Sequence, residues 1–191
     1  MTTTLLLQAL AFVLGLVLWT FLEYVLHRWA FHERVLGMAV AREHIEHHAK
    51  VDYFAPLSVK LAIAVPIVGT IFALGLLFTA ATFASGLVIG VLSGWIVYEV
   101  IHRRIHVAAP LNGYSRWTRR HHLSHHFGNA KLNHGVSTPI WDHVFGTYAP
   151  DATVLVPRRH AAKFPWLLED ASRAPRELSL RDAWTQQYRL V

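Results

Sequence analysis

No charged side chain occurs in the 22 residues before Glu23, or in the 38 residues from Leu61 to Tyr98. A helix that crosses the hydrocarbon of a bilayer needs about 20 mostly apolar residues, so the first run is one span long and the second is too long for one. Small and hydroxylated residues gather at Thr79 to Gly86 and mark a hairpin turn. The sequence therefore predicts spans at about 4–26, 57–78 and 84–104. The fold class is all-α: an integral membrane helical bundle of about three transmembrane helices under a cytoplasmic, histidine-rich helical cap. A cleaved signal peptide is the competing reading of the first run. Against it, Met-Thr-Thr-Thr has no basic n-region, and the apolar run continues directly into EYVLHRWAFH.

All 18 Lys and Arg fall within 28–60 or 103–191. The positive-inside rule puts both segments in the cytoplasm and the N-terminus outside, in the cytoplasmic membrane of a bacterium or the endoplasmic reticulum of a eukaryote. The net charge of +6 thus follows from topology, and no nucleic-acid partner is expected. A charged fraction of 16%, against roughly 25% in soluble proteins, points the same way. Residues 1–150 read as the membrane-embedded domain, and 151–191 as a basic cytoplasmic tail packed on it or lying at the interface. Helices are expected from Glu33 to Lys50 and from Arg116 to Phe127, with breaks at Pro56 and at Ala109-Pro110 with Asn112-Gly113.

The chain has no cysteine, which excludes disulfides, thiolate zinc sites and cysteine-ligated clusters. It has 14 histidines. Ten of them form four groups: His27 and His32; His44, His47 and His48; His102 and His106; His122, His125 and His126. On a helix, residues three and four apart share a face, so HIEHH, HRRIH and HLSHH can turn their imidazoles toward a metal. His27 and His32 are five apart, about 140° around an ideal helix, and need a local distortion to converge. Imidazole suits iron, zinc, copper and nickel alike. Ten ligands exceed one ion's needs, and two ions with about five each would keep a position open for O2 or water. Metal-bound histidines commonly donate their second ring N–H to a carboxylate or carbonyl. Glu23, one turn before His27, and Glu99, three residues before His102, are the acidic candidates, although Glu99 could equally pair with Arg103.

These boxes resemble the fatty acid hydroxylase and sterol desaturase superfamily over roughly His27 to Tyr148. The boxes are HRWAFH, HIEHH, HRRIH and HLSHH, and LNHGVSTPIWDHVFGTY follows them. The resemblance implies that the ten grouped histidines hold two iron ions, with zinc able to replace iron in purified protein, and that Asn133, Gly135 and Asp142 shape the site. His134 stands where the family often has an aromatic residue and is not counted as a ligand. His121, His143 and His160 also fall outside the boxes. The activity implied for residues 1–150 is O2-dependent hydroxylation of a membrane lipid, most simply a fatty acyl chain. Larger members often carry a fused cytochrome b5 domain and a fourth span, neither of which is read here. Electrons are therefore expected from an external ferredoxin-like or cytochrome b5-like donor. Carotenoid or sterol hydroxylation and desaturation are the alternatives within the superfamily. A metal transporter is disfavoured because Leu61 to Tyr98 holds no histidine and no charge. A di-haem cytochrome on His27 and His102 would leave eight grouped histidines unexplained.

Overall fold

The computed structural model describes residues 2–150, 153–170, 172, 179–181 and 187–191. Three of the described helices are long and apolar enough to cross a membrane: α1 (Thr2–Val25), α3 (Leu57–Phe78) and α4 (Ala81–Val107). The chain is an integral membrane protein. Its second span has the predicted limits. The third begins earlier than predicted, because the hairpin turn is confined to Thr79 and Ala80. Thr79 Oγ1 donates to the Gly75 carbonyl at 2.6 Å and ends α3 there. Ser85 falls inside α4, where its hydroxyl is satisfied by the Ala81 carbonyl at 2.8 Å.

Helices α1 and α4 approach so closely that a Cβ at Gly90 would collide with the Phe12 carbonyl and lie 2.9 Å from Gly15 Cα. Small residues at a crossing let two helix backbones meet where no hydrophobic effect drives them together. Helix α3 leans on α4, and none of its residues is buried.

The cap consists of α2 (Met38–Ala49), α5 (Gly113–Phe127) and α6 (Ile140–Val144), with the loops between them. Helix α2 starts later than its predicted Glu33, because Arg34 (φ 58°) and Gly37 (φ 86°) turn the chain in the left-handed region. Helix α5 starts before its predicted Arg116. Asn112 Oδ1 accepts from the Ser115 N–H and Ser115 Oγ accepts from the Asn112 N–H, both at 2.9 Å, a reciprocal cap that fixes its first turn.

The C-terminal segment adds an element that the sequence did not disclose. Strand β1 (Val154–Val156) pairs in parallel with β2 (Tyr188–Leu190), and a short α7 (Arg158–Ala161) follows β1. Phe164, Trp166, Leu167, Leu168 and Tyr188 share one buried core with Val51 and Leu123 of the cap and Ile105 of α4. The described part of the tail is therefore packed on the cap. Residues 151–152, 171, 173–178 and 182–186 of the predicted tail lie outside the described residues.

Candidate metal centre

At the C-terminal end of α1 the helix changes type. Leu26–His32 is a π turn, with the Glu33 N–H bonded to the Arg28 carbonyl five residues back at 2.8 Å. Widening the turn in this way brings residues five apart onto one side, the distortion that His27 and His32 required. Their rings lie 5.1 Å apart, centroid to centroid.

The ten grouped histidines gather as two sets of five. His27, His32, His44, His48 and His125 form one, and His47, His102, His106, His122 and His126 the other, with the nitrogens of each set within 4.8 Å of one another. Both boxes of three are split between the sets. Helix α2 gives His44 and His48 to the first and His47 to the second. Helix α5 gives His122 and His126 to the second and His125 to the first. Adjacent residues on an ideal helix point about 100° apart, so the neighbours His47 and His48 face different sets. The sets touch where the rings of His48 and His126 stack, 4.0 Å apart and 11° from parallel.

Main-chain carbonyls tie several of these rings from behind. His47 Nδ1 donates to the Tyr53 carbonyl and His125 Nδ1 to the Leu132 carbonyl, both at 2.7 Å, and His27 Nδ1 donates to the His134 carbonyl. A carbonyl only accepts, so Nδ1 carries the proton and each Nε2 turns a lone pair inward. His125 Nε2 lies 2.9 Å from His32 Nε2 and 3.2 Å from His48 Nε2, while His27 Nε2 is buried with no hydrogen-bond partner. Burial pushes the His47 imidazole down to about 4 and the His48 imidazole down to about 2, and holds His44, His122, His125 and His126 well below the ordinary range. These rings are neutral at physiological pH. Converging, neutral, acceptor-bearing nitrogens repel one another until a cation sits between them, so the donor set fits two nitrogen-ligated metal ions.

The five other expected site residues have different places. Glu23 is not hydrogen-bonded to His27. It accepts from the Val136 and Ser137 N–H groups at 2.6 and 2.8 Å and from the Ser137 hydroxyl at 2.5 Å, fastening α1 to the loop after α5. Glu99 accepts from Lys60 and, at 3.2 Å, from Trp95 Nε1, so it faces α3 rather than His102. Asp142 accepts from the backbone N–H groups of His134 and Gly135, both at 2.8 Å, and from Thr147 Oγ1 at 2.7 Å. A Cβ at Gly135 would collide with the Thr138 carbonyl and lie 2.9 Å from the Asp142 carboxylate, which explains the glycine. Asn133, at φ 58°, closes the same loop by exchanging hydrogen bonds with the backbone of Ala149.

Of the histidines outside the boxes, His121 pairs with Asp142 Oδ2 at 3.2 Å, His143 stacks on Tyr148, and His160 lies beside Phe127. The His134 ring packs edge-on against His27 and His125. Its carbonyl is the part that hydrogen-bonds a grouped histidine, and sequence carries no signal for a backbone acceptor.

A family model described as fatty acid hydroxylase matches residues 12–147. The chain belongs to the fatty acid hydroxylase family. It is 35% identical to a fatty acid 2-hydroxylase of Mus musculus over 73% of its own length and 40% of the relative's. It is 31% identical to a dihydroceramide fatty acyl 2-hydroxylase of Arabidopsis thaliana over 70% of its length and 58% of the relative's. The solved hydroxylase domain of scs7p is similar in fold, with a TM-score of 0.64 at 28% identity over 76% of this chain and 57% of that one. The chain thus spans less than two thirds of the relatives it matches.

In this fatty acid hydroxylase family member a cleft of about 1050 Å³, including its open mouth, runs between α1, α3 and α4 to the histidines. Ile63, Ala64, Ile67 and Val68 of α3 and Val91 and Leu92 of α4 line its apolar part. At the other end it reaches His27 and His44 of the first set and His47 and His102 of the second, next to Lys60, Trp95 and Glu99.

Proposed function

We propose that this chain is a membrane fatty acyl 2-hydroxylase whose two histidine sets each hold one iron ion. The observation that carries this reading is the cleft, which touches histidines of both sets and is lined by apolar residues of α3. Iron, when bound, would supply the reduction of O2 and the oxidation of a C–H bond. One oxygen atom enters the product and the other leaves as water, which consumes two electrons and two protons. The protein's own part is to orient the lipid and exclude water. An acyl tail would lie between Ile63, Ile67 and Leu92, where a polar group is costly. The polar end of the lipid would meet Lys60, Trp95 and Glu99, the last of them one turn of α4 before His102. This orientation presents the carbons nearest the head group to the histidines, which favours position 2 over the far end of the chain.

By the positive-inside rule the cap would face the cytoplasm, where a soluble or membrane-bound one-electron donor of the ferredoxin or cytochrome b5 type would reach it. Zinc would fill the same imidazole sets yet supply no redox chemistry. The test reconstitutes the iron form in lipid with a donor and 18O2, and reads label at carbon 2 of the product. Label drawn from water, or full activity with zinc and no donor, would overturn the reading.

A further inference from the structure

The two histidine sets are held from behind in different ways. In the first, the carbonyls of His134 and Leu132 take the Nδ1 protons of His27 and His125. In the second, His47 is tied to Tyr53, but the Nδ1 atoms of His106, His122 and His126 are buried and meet no acceptor among the described residues. A ring without that second hydrogen bond is aimed by its backbone and by whatever packs against it.

For His106, α5 and the C-terminal segment supply both constraints. The last turn of a helix leaves its carbonyls without intrahelical donors. At the end of α4, Arg119 Nε donates to the Ile105 carbonyl at 3.0 Å, and Arg119 Nη2 donates to Arg104 at 2.8 Å and to Ala108. The carbonyl of His106 itself receives Trp166 Nε1 at 3.0 Å. The guanidinium carbon of Arg119 sits 4.3 Å from the Trp166 ring centre, a cation–π contact that joins the two donors. Fully buried Phe164 lies against the His106 imidazole, with ring centroids 6.1 Å apart.

We infer that Trp166, together with Arg119 and Phe164, positions the second metal set: it grips the end of α4 so that His106 faces His122, replacing the carbonyl tether used by the first set. The inference rests on the two-metal reading above. Trp166 and Phe164 lie beyond residue 147, where the family match ends, so this support comes from the C-terminal segment and not from the part matched by the family.

The test counts metal and needs no turnover. Full-chain protein loaded with zinc is titrated with a chelator of known affinity, and the ions released per chain are followed. Trp166→Phe keeps the aromatic face under Arg119 and removes the indole N–H. One of its two ions should come off at about tenfold lower chelator than in the parent protein, while the other is unchanged, in line with the usual cost of losing support behind a ligand. Leu167→Ala is the control, since the backbone of Leu167 bonds to Phe164 and Arg181 rather than to α4. It should lower the unfolding temperature at least as much and leave both ions in place. Equal weakening of both ions in Trp166→Phe, no weakening, or the same one-ion loss in Leu167→Ala would overturn the inference. A parent protein that holds no metal would instead remove the two-metal reading on which it stands.

Discussion

The Asp142 carboxylate accepts the backbone N–H of His134 at 2.8 Å, and the carbonyl of the same His134 takes the Nδ1 proton of His27. A residue 115 positions away in sequence therefore sets the direction of a candidate ligand on the π turn after α1 without touching its ring. Asp142 is fully buried and also receives Gly135, Thr147 and His121. Asp142→Asn would turn an amide N–H toward one of these donors and leave it unpaired, at a cost of about 1–3 kcal/mol. Metal affinity of the first histidine set should fall by about 10- to 100-fold. Chelator competition on the purified variant measures this. Unchanged affinity would show that the His134 loop is held without the carboxylate.

The crossing of the boxes gives a second expectation. His47 and His125 sit in boxes whose other two members belong to the opposite set. His47→Ala should therefore lower iron in the second set and His125→Ala in the first, each leaving close to one ion per chain, and both should abolish hydroxylation. His160, which lies beside Phe127 outside both sets, should tolerate Ala with both ions retained. Iron counted per chain by mass spectrometry decides the matter, and an equal loss from His160→Ala would place the site elsewhere.

The spans and the ten histidines were legible because both signals are one-dimensional: a long absence of charge and a spacing of three or four. The need for a distortion between His27 and His32 was legible too, and the π turn supplies it. The splitting of each box between two sets was not, because it depends on how α2 and α5 face each other across the cap. Glu23 was read as a partner of His27, one turn away. Its carboxylate instead bonds to the Val136 and Ser137 amides, which are distant in sequence and carry no side-chain signal. The pairing of β1 with β2 was also hidden, since two three-residue strands some 30 residues apart leave no readable alternation.

The distribution of basic residues predicts orientation. A reporter fused after Val191 should be cytoplasmic, and one inserted in the Thr79–Ala80 turn should be outside. Both reporters on one side of the membrane would be incompatible with three spans.

Acid should weaken the metal-free protein in a defined window. Burial holds His47 near 4 against an ordinary value of 6.5, His48 near 2, and His44, His122, His125 and His126 well below 6.5. Above 6.5 both folded and unfolded chains leave these rings neutral, so stability is flat. As the pH falls below 6.5 the unfolded chain binds protons that the folded one refuses, and stability drops with it. The loss from His47 levels off below about 4, and that from His48 continues to about 2. Thermal unfolding of chelator-stripped protein in detergent should show a lower midpoint at about pH 5 than at about pH 7, and little change between about pH 7 and 8. Equal midpoints at about pH 5 and 7 would mean that the stripped cap admits water to its histidines.

The cleft predicts how chain length is selected. Ala64 and Ile67 belong to its apolar wall on α3, a helix none of whose residues is buried and which packs on α4. A large side chain at Ala64 would fill the path of the tail without touching a histidine, and α1 and α4 would stay locked at Gly15 and Gly90. Ala64→Trp should therefore retain both metal ions and the normal unfolding temperature while losing turnover of long acyl substrates. Short-chain substrates, which end before the obstruction, should keep most of theirs. Losing the buried part of a long tail removes about 0.8 kcal/mol per methylene, so excluding three or four methylenes should lower kcat/KM by roughly 50- to 200-fold. A parallel loss for short and long substrates would place the acyl path elsewhere, and a loss of metal in Ala64→Trp would show that α3 supports the histidine sets directly.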